Sequence, residues 1–413
     1  MAEFNFFVMF RRSSGYFLLV FALLSFAGCS DASSNLSRSN QQVTQNFMEN
    51  FSDVPLESAQ TTVEDSGGGQ RVDAFGKTID NAGKIPSADE LKNSSAGICL
   101  NETVGDKAFE CFDKYLTDKT LATDPVTAFK DLRGLYEMSS MVQTYCHPLS
   151  HSIGHAAVEK YPKVADAYTH GEDFCWSGYY HGVIERYIGK IGYENLPGEI
   201  NNICMDIPGK ESYSFDYYNC VHGVGHGLMS LTGDELFDSL ELCDGLTGQW
   251  EKSSCYSGVF MENVIADGRN HKTDYLKPED PVYPCNAVGE GYKETCYLMQ
   301  TSYMLKVTNY DFKKVFDLCK GVDKGYVNTC YRSLGRDASG TSVSDVEQTK
   351  TKCFIGENFE QKSECIVGAV KDFISYYYSD TKAKQLCQSL GDAQMEKICL
   401  ETADEYYSYF AKK

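Results

Sequence analysis

Seventeen cysteines constrain this chain more than any other feature, because sixteen of them fall into neighbouring pairs. Cys99/Cys111, Cys243/Cys255, Cys285/Cys296, Cys319/Cys330, Cys353/Cys365 and Cys387/Cys399 each lie eleven or twelve positions apart. Cys204/Cys220 is looser at sixteen, and Cys146/Cys175, at twenty-nine, fits the pattern least well. The regularity favours bonding between neighbours over any other scheme. In an exported chain such an even set reads as a disulfide framework. Each staple across so short a loop contributes on the order of 3 kcal/mol.

The first cysteines of successive pairs also repeat at a fixed step. It is 34 from Cys285 to Cys319, to Cys353 and to Cys387, after steps of 39 and 42 upstream. A period in this range marks a stacked helical array. Each unit reads as two helices. "NYDFKKVFDLC" and "DTKAKQLC" open at Asn or Asp, which suits an N-cap, and continue with helix formers. A Gly-containing turn follows, then a second helix carrying the partner cysteine, as in "KGYVNTCYRSL". No alternating strand pattern competes past residue 90. The expected fold is all-α, an α-solenoid of disulfide-stapled helical hairpins. Over roughly residues 200–413 the period and the stapled pairs resemble the Sel1-like and tetratricopeptide (TPR-like) group of helical repeats. That resemblance implies a binding scaffold rather than an activity.

At 413 residues the chain can bury a large core, and its net charge of −20 argues against nucleic acid as a partner. Residues 1–28 read as a signal peptide: Arg11 and Arg12 precede an apolar run too short to span a bilayer, and small residues follow. "FAGC" resembles the lipobox of bacterial lipoproteins, with Phe26 where that motif has Leu. The resemblance implies that Cys29 becomes the lipidated first residue. Residues 29–88, polar and glycine-bearing, read as a flexible tether. The remainder divides into histidine-rich repeats at 89–270 and regular 34-residue repeats at 271–413. The expected location is the cell envelope, lipid-anchored in a membrane and facing the periplasm or the cell surface.

Seven of the eight histidines lie between positions 147 and 226, where an even spread would leave one or two. Aligned on their cysteines, "CWSGYYHGVIE", "CVHGVGHGLMS" and "CYSGVFMENVI" superpose Gly178, Gly223 and Gly258 three residues on. The same alignment superposes His181, His226 and Met261 six residues on, with His222 two past its cysteine and Glu185 ten past. At 100° per residue these side chains point about 200–280° from the cysteine, away from the staple. They belong to a shared surface, not to the hairpin's own seam. Later repeats put Ser302, Arg336 and Lys371 in the six-past slot, so the repeat itself does not require imidazole.

Upstream, "CHPLSHSIGHAA" sets His151 and His155 on one face; Pro148 marks a first turn and makes His147 a cap-region residue and a weaker candidate. Three i,i+4 pairs result: His151/His155, His181/Glu185 and His222/His226. Such pairs present two ligands to one metal, and imidazole suits Zn, Fe or Cu, Met261 leaning toward copper. Glycines around His222 and His226 clear room for close approach. Glu262 and Asn263 are secondary candidates. Tyr179 and Tyr180 are expected to pack, and His170 and His271 to be surface or satisfied core.

Two functions compete. One is an envelope lipoprotein with a His/Glu transition-metal site, catalytic if Glu185 serves as general base beside a metal-bound water. No H-E-x-x-H motif accompanies it. The other is a non-enzymatic scaffold that binds an envelope protein, peptide or cell-wall partner. A third, an envelope redox enzyme, requires a visible absorption band.

Overall fold

The structure is a computed structural model and describes residues 85–411 apart from 103–104, 173, 176, 266–272, 343–344 and 378. The signal segment, Cys29, the tether up to residue 84, the boundary at 270/271 and His271 lie outside the described residues.

Local sequence explains where helices begin. Asp311 and Asp345 accept hydrogen bonds from the backbone N–H of Lys314 and Gln348, and Ser214 accepts from Tyr217. Asp124 caps a helix whose first residue is Pro125. The helix Phe312–Lys320 buries Phe312, Val315, Phe316 and Cys319, the i, i+3, i+4, i+7 spacing of a one-sided apolar stripe.

Fourteen helices of eight residues or more are formed among the described residues. We number them α1 (Gly105–Ala122), α2 (Pro125–Met138), α3 (Cys146–Lys160), α4 (Gly178–Ile191), α5 (Phe215–Thr232), α6 (Leu236–Cys243) and α7 (Gln249–Ile265). They continue as α8 (Glu290–Val307), α9 (Phe312–Lys320), α10 (Val327–Gly340), α11 (Val346–Cys353), α12 (Phe359–Tyr377), α13 (Thr381–Ser389) and α14 (Ala393–Ala411). No strand occurs among the described residues; one isolated bridge joins Lys277 and Asp280.

The fold is an all-α solenoid. Helices α1, α3, α4, α5, α7, α8, α10, α12 and α14 pack each on the next as an inner layer, and α6, α9, α11 and α13 cover it as the first halves of hairpins. All eight expected cysteine pairs are bonded, with Cα–Cα separations of 5.4–5.9 Å. Three units depart from the two-helix expectation. Cys204 and Cys285 sit in turns rather than helices, which matches the longer steps of 39 and 42 there. Cys146 begins α3, itself an inner helix, so its bond to Cys175 ties α3 to the entry of the next inner helix instead of closing a hairpin.

The six-past slot is buried at His181, His226, Met261, Arg336 and Lys371, half-buried at Thr117 and Ser302, and exposed at Glu405 in the last repeat. In the later repeats it holds Arg336, whose guanidinium donates to the Leu298 carbonyl at 2.7 Å, to Ser302 Oγ at 2.7 Å and to Asp337 at 3.1 Å. Nearby Asp372 is buried with Oδ1 unpartnered, and burial pushes its carboxyl up to about 7 against the pull of Arg336. A folded-state value above the unfolded one means the native protein holds this proton up to about pH 7, while the unfolded chain releases it near 4. Stability from this group is therefore present in acid and lost as pH rises through that window. Asp372→Asn, which mimics the protonated form, is expected to raise stability at pH 8 by on the order of 2–4 kcal/mol and to change little at pH 4. Urea midpoints at the two pH values check it; an equal shift at both contradicts it.

Candidate metal centre

Three consecutive inner helices carry the histidines. On α3 the four-residue spacing puts His147, His151 and His155 on the face that meets α4. Before α4 the chain turns through two residues with positive φ, Cys175 at 61° and Ser177 at 58°. For residues other than glycine that conformation is costly. It is held by the Cys146–Cys175 bond, and it aims the Cys175 carbonyl at His147. His181 follows on α4, and His222 and His226 on α5.

The rings converge. Centroids lie 4.7 Å apart for His147–His151 and 4.9 Å for His222–His226. His181 stands between these pairs, 5.4 and 5.8 Å from His147 and His151 and 5.3 and 4.4 Å from His222 and His226. All five are buried. His155, by contrast, is 43% exposed, and its link to the group runs through Glu185.

Hydrogen-bond partners assign the tautomers. His147 Nδ1 faces the Cys175 carbonyl at 2.9 Å, which can only accept. His222 Nδ1 lies 2.7 Å from Ser257 Oγ, whose own hydrogen is given to the Ser254 carbonyl at 2.6 Å; the Tyr218 hydroxyl, 3.3 Å from the same Nδ1, is 3.2 Å from Ser257 Oγ and gives its hydrogen there in this network. His226 Nδ1 meets Glu262, and His151 Nδ1 meets Glu185 Oε2 at 3.1 Å. Every one of these Nδ1 atoms is a donor, so every Nε2 presents a bare lone pair. Yet Nε2 of His147 faces Nε2 of His151 at 3.0 Å, and Nε2 of His222 faces Nε2 of His226 at 3.1 Å. Two lone pairs at that distance repel unless a cation sits against both.

A proton is a poor choice of cation here. Burial, and then the neighbouring rings, lower the affinity of His147 for a proton to about 3. Burial likewise lowers His151, and pushes His181 and His222 well below the ordinary imidazole value. These rings are held neutral, the form that ligates a metal. Glu185 shows the opposite balance: burial alone would raise its carboxyl, but hydrogen bonds from His151 and His155 outweigh burial and hold it well below the usual range.

No family model, curated protein or solved structure matches the chain. The likeness to Sel1-like and TPR-like repeats is therefore one of packed helix pairs.

Three groups of side chains place their ligand atoms within 4.8 Å of one another: His147/His151/His181, His181/His222/His226 and His151/His155/Glu185. The structure thus brings His151, His181, His222 and His226 together and leaves His155 and Glu185 at the rim. It also promotes His147. Pro148 does mark a first turn, but the Cys146–Cys175 bond folds that turn onto the cluster instead of leaving it as a solvated cap. Glu262 is a partner of His226, while Asn263 is engaged by Thr273. Met261 is buried on α7. Tyr179 packs in the core and donates to the Ala167 carbonyl at 2.7 Å; Tyr180 packs beside it. His170 stacks on Tyr161 at 4.0 Å and is a structural residue. Ser257 carries no signal of its own in the sequence, although it stands two past Cys255, the same register as His222.

Proposed function

We propose that this chain is an exported cell-envelope lipoprotein, anchored through Cys29, whose N-terminal repeats hold transition-metal ions on His147, His151, His181, His222 and His226. The eight bonded cysteine pairs support an oxidising, extracytoplasmic compartment. Among the described residues no helix is long and apolar enough to cross a membrane. The lipid on Cys29 is the means of attachment in this proposal.

The observation that carries the metal reading is the pair of Nε2–Nε2 contacts at 3.0 and 3.1 Å, with the opposite ring nitrogens anchored to acceptors. Metal-bound imidazoles are ordinarily held this way, the second nitrogen donating to a carboxylate or carbonyl. An all-imidazole donor set suits Zn, Cu or Fe. Expected as a general base, Glu185 in this reading orients His151, because its Oε2 already receives two imidazole hydrogens.

The test is elemental analysis of the mature chain after loading with zinc or copper and desalting. At least one equivalent is expected, and His222→Ala with His226→Ala should reduce it. Less than a tenth of an equivalent overturns the reading. A scaffold that only captures an envelope protein or peptide would show the same partner binding in that double variant as in the parent chain.

A further inference from the structure

The centre is built from a duplicated half-site. On α3, His147 and His151 face each other through Nε2; His147 Nδ1 donates to a group at the entry to α4, and His151 Nδ1 donates to Glu185 on α4. On α5, His222 and His226 face each other through Nε2; His222 Nδ1 donates to Ser257 and His226 Nδ1 to Glu262, both on α7. An i,i+4 imidazole pair with a carboxylate on the next inner helix occurs twice. Each half has its own lone-pair conflict, so each calls for its own cation.

Between the halves stands His181. It is fully buried, and neither Nδ1 nor Nε2 has a hydrogen-bond partner. A buried neutral imidazole with two unused nitrogens is expensive to leave so. It is close enough to complete both triads, His147/His151/His181 and His181/His222/His226. A neutral ring has one lone pair and could serve only one of them.

Resting on the metal reading above, we propose that the cluster holds two divalent transition ions, one on His147 and His151 and the other on His222 and His226, with His181 bridging them as an imidazolate. The proton balance is simple. Four histidines bind through neutral Nε2 atoms and lose nothing. His181 gives up its single N–H proton to water, and both ring nitrogens then carry a lone pair. That negative charge and the carboxylates of Glu185 and Glu262 offset most of the charge brought in by two dications. The buried position of Glu262, 4% exposed beside His226, follows from that charge requirement.

Cu(II) alone serves as the probe, added to the mature full-length chain with glycine present to compete for surface imidazoles. Dialysis should reach two equivalents. Spin exchange across an imidazolate should then leave the electron paramagnetic resonance intensity well below that of two isolated Cu(II) ions. His147→Ala with His151→Ala, and separately His222→Ala with His226→Ala, should each keep one equivalent and restore the full intensity of a single ion. His181→Gln should abolish the coupling. Saturation at one equivalent in the unmodified chain overturns the two-ion assignment but leaves a metal centre standing. Two equivalents at full uncoupled intensity overturn the bridge. Absence of any bound copper removes the metal reading itself.

Discussion

Gly225→Val is expected to cost the protein about 3 kcal/mol or more and to lose metal along with stability. A Cβ at this position would lie 2.1 Å from the Cys255 carbonyl oxygen, 2.7 Å from the Val259 nitrogen and 2.9 Å from the Gly258 Cα. All three are backbone atoms of α7, so no rotamer change relieves the clash. The contact is reciprocal: a Cβ at Gly258 would meet the His222 carbonyl oxygen at 2.0 Å. Helices α5 and α7 therefore touch backbone to backbone, and any side chain here forces them apart. Separation moves His222 from Ser257 and His226 from Glu262, so the orienting hydrogen bonds go with the packing. Gly189 on α4 is the control. It is exposed, and a Cβ there would have nothing within 4 Å. Gly189→Ala is expected to stabilise by up to about 1 kcal/mol through helix propensity alone. Urea midpoints and metal stoichiometry of the two variants, measured side by side, check this. Equal midpoints for Gly225→Val and the parent chain would show that the interhelix contact is looser than these distances imply.

The same glycines show how far the sequence was legible. A run of "HGVGHG" signals close approach but not toward what. Gly225 turns out to face α7, whereas Gly223 and Gly227 face Ile184, Glu185 and Ile188 on α4. The hairpin stack was readable because a staple fixes two chain positions in space, and short staples recurring every 34 residues from Cys285 to Cys387 leave few other folds. Convergence of His151, His181, His222 and His226 was readable for a related reason: residues at one register of a stacked repeat share one face. The place of His147 in the cluster was not legible, because a proline at the third position of a helix describes its start, not what covers that start. What covers it is a loop pinned by the longest-range disulfide, Cys146–Cys175. The pairing of Glu262 with His226 depends on the offset between α5 and α7, which no single helix encodes.

Acid should unfold the metal-free protein well before it unfolds the loaded one. In the folded state burial holds His147 near 3 and depresses His151, His181 and His222, so these rings stay neutral. In the unfolded chain each takes a proton near pH 6.5. Between that value and about 3 the unfolded state binds more protons, so native stability falls as pH drops through this window and is fully present above it. Each unit of depression is worth about 1.4 kcal/mol, and four such groups together outweigh the opposite dependence of Asp372. Bound metal adds roughly 4 kcal/mol at a free concentration a thousandfold above its dissociation constant. That increment should persist while burial keeps the folded rings neutral, and be lost only in stronger acid, where protons compete for the same Nε2 lone pairs. Thermal midpoints at pH 8, 6.5 and 5, with zinc and with EDTA, are expected to keep a gap at every pH, over a metal-free baseline that declines below pH 6.5. A metal-free protein as stable at pH 5 as at pH 8 would mean that His147, His151, His181 and His222 are open to water in solution, and a centre so wetted could not hold these rings neutral by burial.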